Sequence, residues 1–177
     1  HGTNVVKKLV PYIPQTDHFD AVNSFSREDA EFLAEMGYNT IRLGVLWAGA
    51  EPEEGQYNQT YYDEFKKIIG FSAENGIYPL LDMHQDVWSR KFCGEGVPDW
   101  AAQDSFNDTR AVAFPWPLDD PYAVDENLYP SSEDCGKHSW PKYHFTHAIS
   151  SAVGNLYDNH NGLRDKFASF WGETAKI

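Results

Sequence analysis

Tyr78-Pro79-Leu80-Leu81-Asp82-Met83-His84-Gln85-Asp86-Val87-Trp88 takes an apolar run of strand type straight into a cluster of polar, ionisable side chains. Parallel α/β barrels deliver their chemistry in this way, because the carboxyl ends of the strands and the loops after them line the pocket. Asp82, His84 and Asp86 are therefore expected inside a pocket or at its rim. The competing reading is a buried structural cluster. A strand that merely fills a core has no use for two carboxylates and an imidazole so close together, since burying them unpaired is costly.

Upstream, two more strand-loop-helix units can be read. The first opens with a short strand over His1 to Val6 and a loop containing Pro11 and Pro14. Its helix has Ser26 as cap, Asp29 at the capping-box position, and Phe32, Leu33 and Met36 on one face before Gly37 ends it. The second has Thr40 to Trp47 as strand, a turn through Pro52 and Gly55, and a helix from about Thr60 to Glu74 stopped by Asn75-Gly76. The third strand runs from Ile77 to Met83. Its loop extends from Asp86 to about Trp140 before helical patterns return through His147 to Leu156 and Leu163 to Ala175.

Strand, loop and helix repeated at short spacing predict a parallel sheet with right-handed crossovers. The expected fold class is α/β, with residues 1–177 forming about three βα units of one partial TIM (β/α)8 barrel domain, since closure needs eight units and ~250 residues. Structureless loops as long as residues 86–140 are uncommon, so that segment is expected to be a lid or insertion.

With 177 residues, 41% of them hydrophobic and 15% aromatic, the chain can bury a sizeable core and does not have the composition of a disordered protein. Its 14 Lys and Arg against 27 Asp and Glu give a net charge of −13, with no basic stripe to track phosphates, so nucleic acid is not an expected partner. No apolar run approaches the ~18 residues of a membrane span. The amino terminus has no basic and apolar leader, so any secretory signal is expected to have been removed or left out.

Two features point to a secreted or otherwise extracytosolic, lysosomal-type compartment. Asn58-Gln59-Thr60 and Asn107-Asp108-Thr109 match the N-glycosylation acceptor pattern in polar, turn-rich surroundings. The only cysteines, Cys93 and Cys135, fall in one segment rich in Gly, Pro and Asp, where a disulfide would replace absent secondary structure. Two free buried thiols are the alternative; a metal site would need more soft ligands.

Arg42 interrupts an apolar strand, where a permanent charge must meet a carboxylate or line a cavity. It either orients an anionic partner or closes a structural ion pair. Lys8 follows the first strand at the same expected end as His84, placed to donate to sugar hydroxyls or a carboxylate, or simply exposed. His84 is a candidate proton shuttle, hydrogen-bond donor or metal ligand, with Asp86 fixing its tautomer or gripping a substrate hydroxyl. No third metal ligand is apparent, so no metal is expected. Trp47, Trp88, Trp100, Trp116 and Trp140 are core candidates one by one, but as a group they suggest a groove for the apolar faces of sugars.

These residues together resemble the amino-terminal part of an endoglycoceramidase-like enzyme of glycoside hydrolase family 5. The resemblance rests on His1-Gly2-Thr3-Asn4 with Lys8, on Met36-Gly37-Tyr38-Asn39-Thr40-Ile41-Arg42-Leu43, and on Trp47-Ala48-Gly49-Ala50-Glu51-Pro52 with Gly55 and Tyr57. It includes Leu81-Asp82-Met83-His84-Gln85-Asp86, the segment specific to this branch, and continues through Pro98-Asp99-Trp100-Ala101 to Phe167-Ala168-Ser169-Phe170-Trp171. It implies a TIM barrel and retaining hydrolysis of a β-glycosidic bond by an acid/base carboxyl and a nucleophilic carboxylate. On this branch an intact glycan is released from ceramide, so a membrane surface would be met only through the lipid substrate. Lys8, Asp82, His84 and Asp86 would hold the sugar beside the scissile bond, Arg42 would support the nucleophile's charge, and no metal or organic cofactor is implied.

The departure lies in what is missing. The family places its acid/base in an Asn-Glu-Pro sequence after the fourth strand and its nucleophile after the seventh, and neither occurs here; Glu51-Pro52 follows Ala50 in the second unit. Catalysis is therefore expected to need a missing carboxyl-terminal part. The alternative is a non-catalytic, glycan-binding or self-assembling glycoprotein built on this fold. A complete small hydrolase of another kind would need a nucleophile elbow or reactive-cysteine context, and the sequence contains neither.

Overall fold

The computed structural model describes residues 1–106 and 113–177. Three strands, β1 (Gly2–Val5), β2 (Thr40–Val45) and β3 (Tyr78–Met83), form a parallel sheet in the order β1-β2-β3. The register pairs Gly2 with Thr40 and Thr40 with Tyr78, so that Gly44 lies beside Asp82. On one face Ile41, Leu43 and Val45 are fully buried. On the other, Arg42 and Asp82 point out beside Leu80 and Tyr78, which are 64% and 76% exposed.

Helices cover the first face. In α1 (Arg27–Glu35) the capping box forms as expected: the Ser26 hydroxyl accepts from the Asp29 amide, and the Asp29 carboxylate accepts from the Ser26 amide at 2.7 Å. Gly37 ends the helix at φ +81°, a conformation that costs glycine nothing. The expected apolar face is not the one that packs. Ala30 is buried and Leu33 packs on the core, whereas Phe32 and Met36, one turn apart on the flank, are 58% and 63% exposed.

The second strand stops at Val45, short of Trp47. The Leu46 amide donates to the Tyr61 hydroxyl at 2.9 Å instead of joining the ladder, and Trp47 opens the short helix α2 (Trp47–Ala50). Then α3 (Gln59–Glu74), capped by the Asn58 side chain on the Tyr61 amide, lays Tyr61, Tyr62, Phe65 and Ile68 into the core. Each such aliphatic or aromatic side chain contributes roughly 1.5–3 kcal/mol by leaving water.

The segment after β3 is a packed insertion rather than an irregular loop. It contains a 3-10 turn (Arg90–Phe92), α4 (Asp99–Asp104), α5 (Ser132–Cys135) and a longer 3-10 stretch (Trp140–Phe145). Phe92 packs on Phe106 and Phe114, and Phe114 on Tyr122 and Tyr143, with ring centroids 4.6–5.9 Å apart. Period-based reading misses this core because its rings come from turns. The Cys93–Cys135 disulfide forms, closing a separation of 42 residues. Asn107 lies outside the described residues. The chain then continues through α6 (His147–Tyr157) and α7 (Leu163–Thr174), and Phe170 of α7 stacks on Trp47 at 5.7 Å. Among the described residues no helix is long and apolar enough to cross a membrane.

Candidate functional site

The carboxyl end of β3 gathers the ionisable residues. Asp82 is the last β3 residue but one and shares its face with Arg42 on β2, whose Nη2 approaches the Asp82 carboxylate to 2.5 Å. Arg42 therefore meets a carboxylate, with 40% of its side chain still exposed. The same Nη2 lies 3.5 Å from Nδ1 of His84. His84 Nδ1 is also 3.5 Å from Asp82, while its Nε2 is 3.7 Å from Asp86 and 3.9 Å from Glu95. These separations to the carboxylates are too long for hydrogen bonds, so Asp86 does not fix the tautomer of the ring. Instead Asp86 accepts from the Lys8 ammonium, which also lies 3.2 Å from Glu95.

Glu95 is the residue that sequence reasoning missed. It stands in the insertion, yet its backbone pairs with that of Asp86 in both directions, Asp86 N to Glu95 O at 3.0 Å and Glu95 N to Asp86 O at 2.8 Å. Two glycines make this approach possible. A Cβ at Gly94 would sit 1.9 Å from the Asp86 carbonyl oxygen, and one at Gly96, where φ is +120°, would sit 2.5 Å from the His84 carbonyl oxygen. The Gly-Glu-Gly triplet was the available signal, since paired glycines mark close backbone approach.

Burial pushes the Glu95 carboxyl up from its ordinary value, and the neighbouring Asp86 adds to this while Lys8 opposes it. Burial also acts to raise Asp86, but the bond from Lys8 outweighs it and the net direction is down. Burial lowers the His84 imidazole, helped by the Lys8 and Arg42 charges and opposed by Asp86 and Asp82. Lys8 is raised overall, because Asp86 and Glu95 outweigh its partial burial. The cluster thus sets an imidazole of lowered pKa beside an ammonium and carboxylates. Asp82 Oδ2, His84 Nε2 and Glu95 Oε1 are buried, with ionic neighbours but no hydrogen-bond partner among the described residues. Atoms of that kind suit a ligand rich in hydroxyls, each of which donates and accepts.

The four residues expected from the sequence to hold a sugar, Lys8, Asp82, His84 and Asp86, converge with Arg42. The absence of a third ligand beside His84 and Asp86 is corrected: Glu95 brings a carboxylate so that all three ligand atoms lie within 4.8 Å. The cation between Asp86 and Glu95 is the ammonium of Lys8. The tryptophans separate into two groups. Trp47 and Trp88 are core residues, 0% and 5% exposed, and the Trp100 indole donates to the Glu51 carbonyl at 3.0 Å. Glu51 itself is buried and accepts from the Trp47 indole and the Gly55 amide, both at 2.7 Å, a structural role. Trp116 and Trp140 remain about half exposed, and Trp140 stands 5.7 Å from the Lys8 ammonium. A groove beside the cluster is lined by Lys8, Leu9, Val10, Tyr12, Arg90 and Glu95.

Comparison with known proteins agrees with this architecture. The chain is 48% identical over 177 residues to an endoglycoceramidase of Cyanea nozakii and 47% identical over 178 residues to one of Hydra vulgaris, covering 99% and 100% of this chain. It spans about a third of the length of these curated relatives, 34% of each. Among solved structures it matches endo-glycoceramidase II from Rhodococcus sp. in complex with ganglioside GM3, at 25% identity and a TM-score of 0.67, covering 98% of this chain and 35% of that one. Three parallel strands backed by helices fit one part of such a (β/α)8 barrel. The sequence profile of cellulase (glycosyl hydrolase family 5) matches residues 15–176, and the chain belongs to that family.

Proposed function

We propose that this chain is the amino-terminal part of a secreted, retaining β-glycosidase that acts on glycolipids and releases the glycan intact from ceramide. The observation that carries the proposal is the convergence of Lys8, Arg42, Asp82, His84, Asp86 and Glu95 at the end of β3, with polar atoms free to meet hydroxyls, in a chain so similar to endoglycoceramidases. Lys8, Asp82, His84 and Asp86 hold the sugar next to the scissile bond through its hydroxyls. Arg42 supports the charge of a nucleophilic carboxylate. That carboxylate and the acid/base are supplied from outside these 177 residues, about 5–5.5 Å apart as retention requires.

The disulfide suits an oxidising compartment. Glycosylation of Asn58 is compatible with its role as cap, because the cap uses Oδ1 whereas the glycan would take the exposed side chain's nitrogen. The exposed Tyr78 and Leu80 on the bare sheet face favour a covering partner, which on this reading is the rest of the barrel. Self-association through the same face is the second reading. Full-length protein incubated with ganglioside GM3 in detergent micelles distinguishes them: release of the whole trisaccharide and ceramide is expected. Stepwise loss of single sugars, or no cleavage by a protein that self-associates through this chain, overturns the proposal.

A further inference from the structure

Lys8 has a long side chain that is 47% exposed, and a lysine in that position ordinarily samples many rotamers. Here two carboxylates from one antiparallel bridge hold its ammonium. Glu95 is delivered to this position by several independent restraints. Its backbone bonds to Asp86 in both directions, the Ala48 amide donates to the Gly96 carbonyl at 2.9 Å, and Cys93, two residues earlier, is cross-linked to Cys135. A carboxylate so tightly placed, whose Oε1 faces the Lys8 ammonium at 3.2 Å, is built to set the position of that ammonium.

We infer that Glu95 is a positioning residue for sugar binding: with Asp86 it pins the Lys8 ammonium so that a remaining N–H of Lys8 faces a sugar hydroxyl in the groove. The inference rests on the glycosidase reading above and adds to it a residue that acts through Lys8. An ammonium has three donors; engagement by two carboxylates leaves one in a defined direction. Removal of Glu95 frees Lys8 to follow Asp86 alone, and the sugar loses a preorganised contact. A contact made equally in the ground state and the transition state is read in KM.

Steady-state kinetics of the full-length enzyme on an aryl β-lactoside, with E95A, E95Q, K8M and the K8M/E95A double variant, tests this. E95A is expected to raise KM about tenfold with kcat within about threefold. E95Q keeps an oxygen toward Lys8 and is expected to recover most of the loss. In the K8M background E95A is expected to add nothing, because two residues acting through one contact are not additive. An unchanged KM in E95A, or effects that multiply in the double variant, overturns the inference. If E95A does not fold, E95L, which also removes both carboxylate oxygens, alone and combined with K8M carries the same comparison. A wild type that cleaves neither the lactoside nor ganglioside GM3 removes the glycosidase reading and this inference with it; a wild type active on either substrate with an indifferent E95A removes only the inference.

Discussion

The sheet with its helices and the insertion after β3 are held together by different means, and the site lies where they meet. Ile41, Leu43 and Val45 of β2 share one buried core with Tyr61, Phe65 and Ile68 of α3, presented at strand and helix periods. The insertion is held by Phe92, Phe114 and Tyr143 and by one disulfide, with little regular structure. The strand half supplies Arg42 and Asp82, with His84 just beyond the end of β3, whereas the insertion supplies Glu95 and pairs it with Asp86. The difference teaches that half of the cluster is anchored by the packing of the sheet, while the other half depends on the covalent and aromatic clamps behind it.

Breaking the clamp gives the largest expected effect. Replacing both Cys93 and Cys135 by serine should cost about 4 kcal/mol on the loop-entropy estimate, read as the shift in urea unfolding. Amide exchange should quicken around Glu95 before it does in β2; equal quickening in both regions would show that the insertion and the sheet open as one unit. Leu43→Ala, on the covered face of β2, should cost about 3 kcal/mol and lower the stability of the whole chain cooperatively. A loss confined to the insertion would contradict the packing described here.

The smallest effect is in pH dependence, where the two halves oppose each other. His84, beside the strand, has a lowered pKa. On acidification below its ordinary value of 6.5 the unfolded imidazole binds the proton first, and stability falls. Glu95, in the insertion, has a raised pKa: the folded carboxyl binds its proton before the unfolded one does at 4.5, so acidification through that window adds stability. Thermal melts between pH 6.5 and 4.5 should therefore fall more steeply in E95Q and less steeply in H84Q than in the wild type. Parallel curves for all three would sink the assignment of directions.

Much of the strand half was legible. The run into Asp82 and His84 marked a strand end, the Ser26 and Asp29 spacing marked a capping box that forms, and Asn75-Gly76 marked a helix stop. These signals are local, because caps, turns and alternation act over a few residues. The face of α1 was misread because periodicity shows that Phe32, Leu33 and Met36 are apolar neighbours, not which of them meets the core. Trp47 and Trp88 were grouped with a groove for a similar reason: an aromatic side chain reads the same in sequence whether it is buried or exposed.

By itself the sequence determined the parallel α/β order, the polar residues at the end of β3, the cysteine pair available for cross-linking and the family motifs that run along the chain. Only the tertiary structure decided that Asp86 is engaged by Lys8 rather than by His84, and that Glu95 closes the cluster. The physical reason is range. Propensity and periodicity act between near neighbours, whereas the contact of Lys8 with Asp86 joins residues 78 positions apart and depends on how a long, glycine-hinged insertion folds back on its strand.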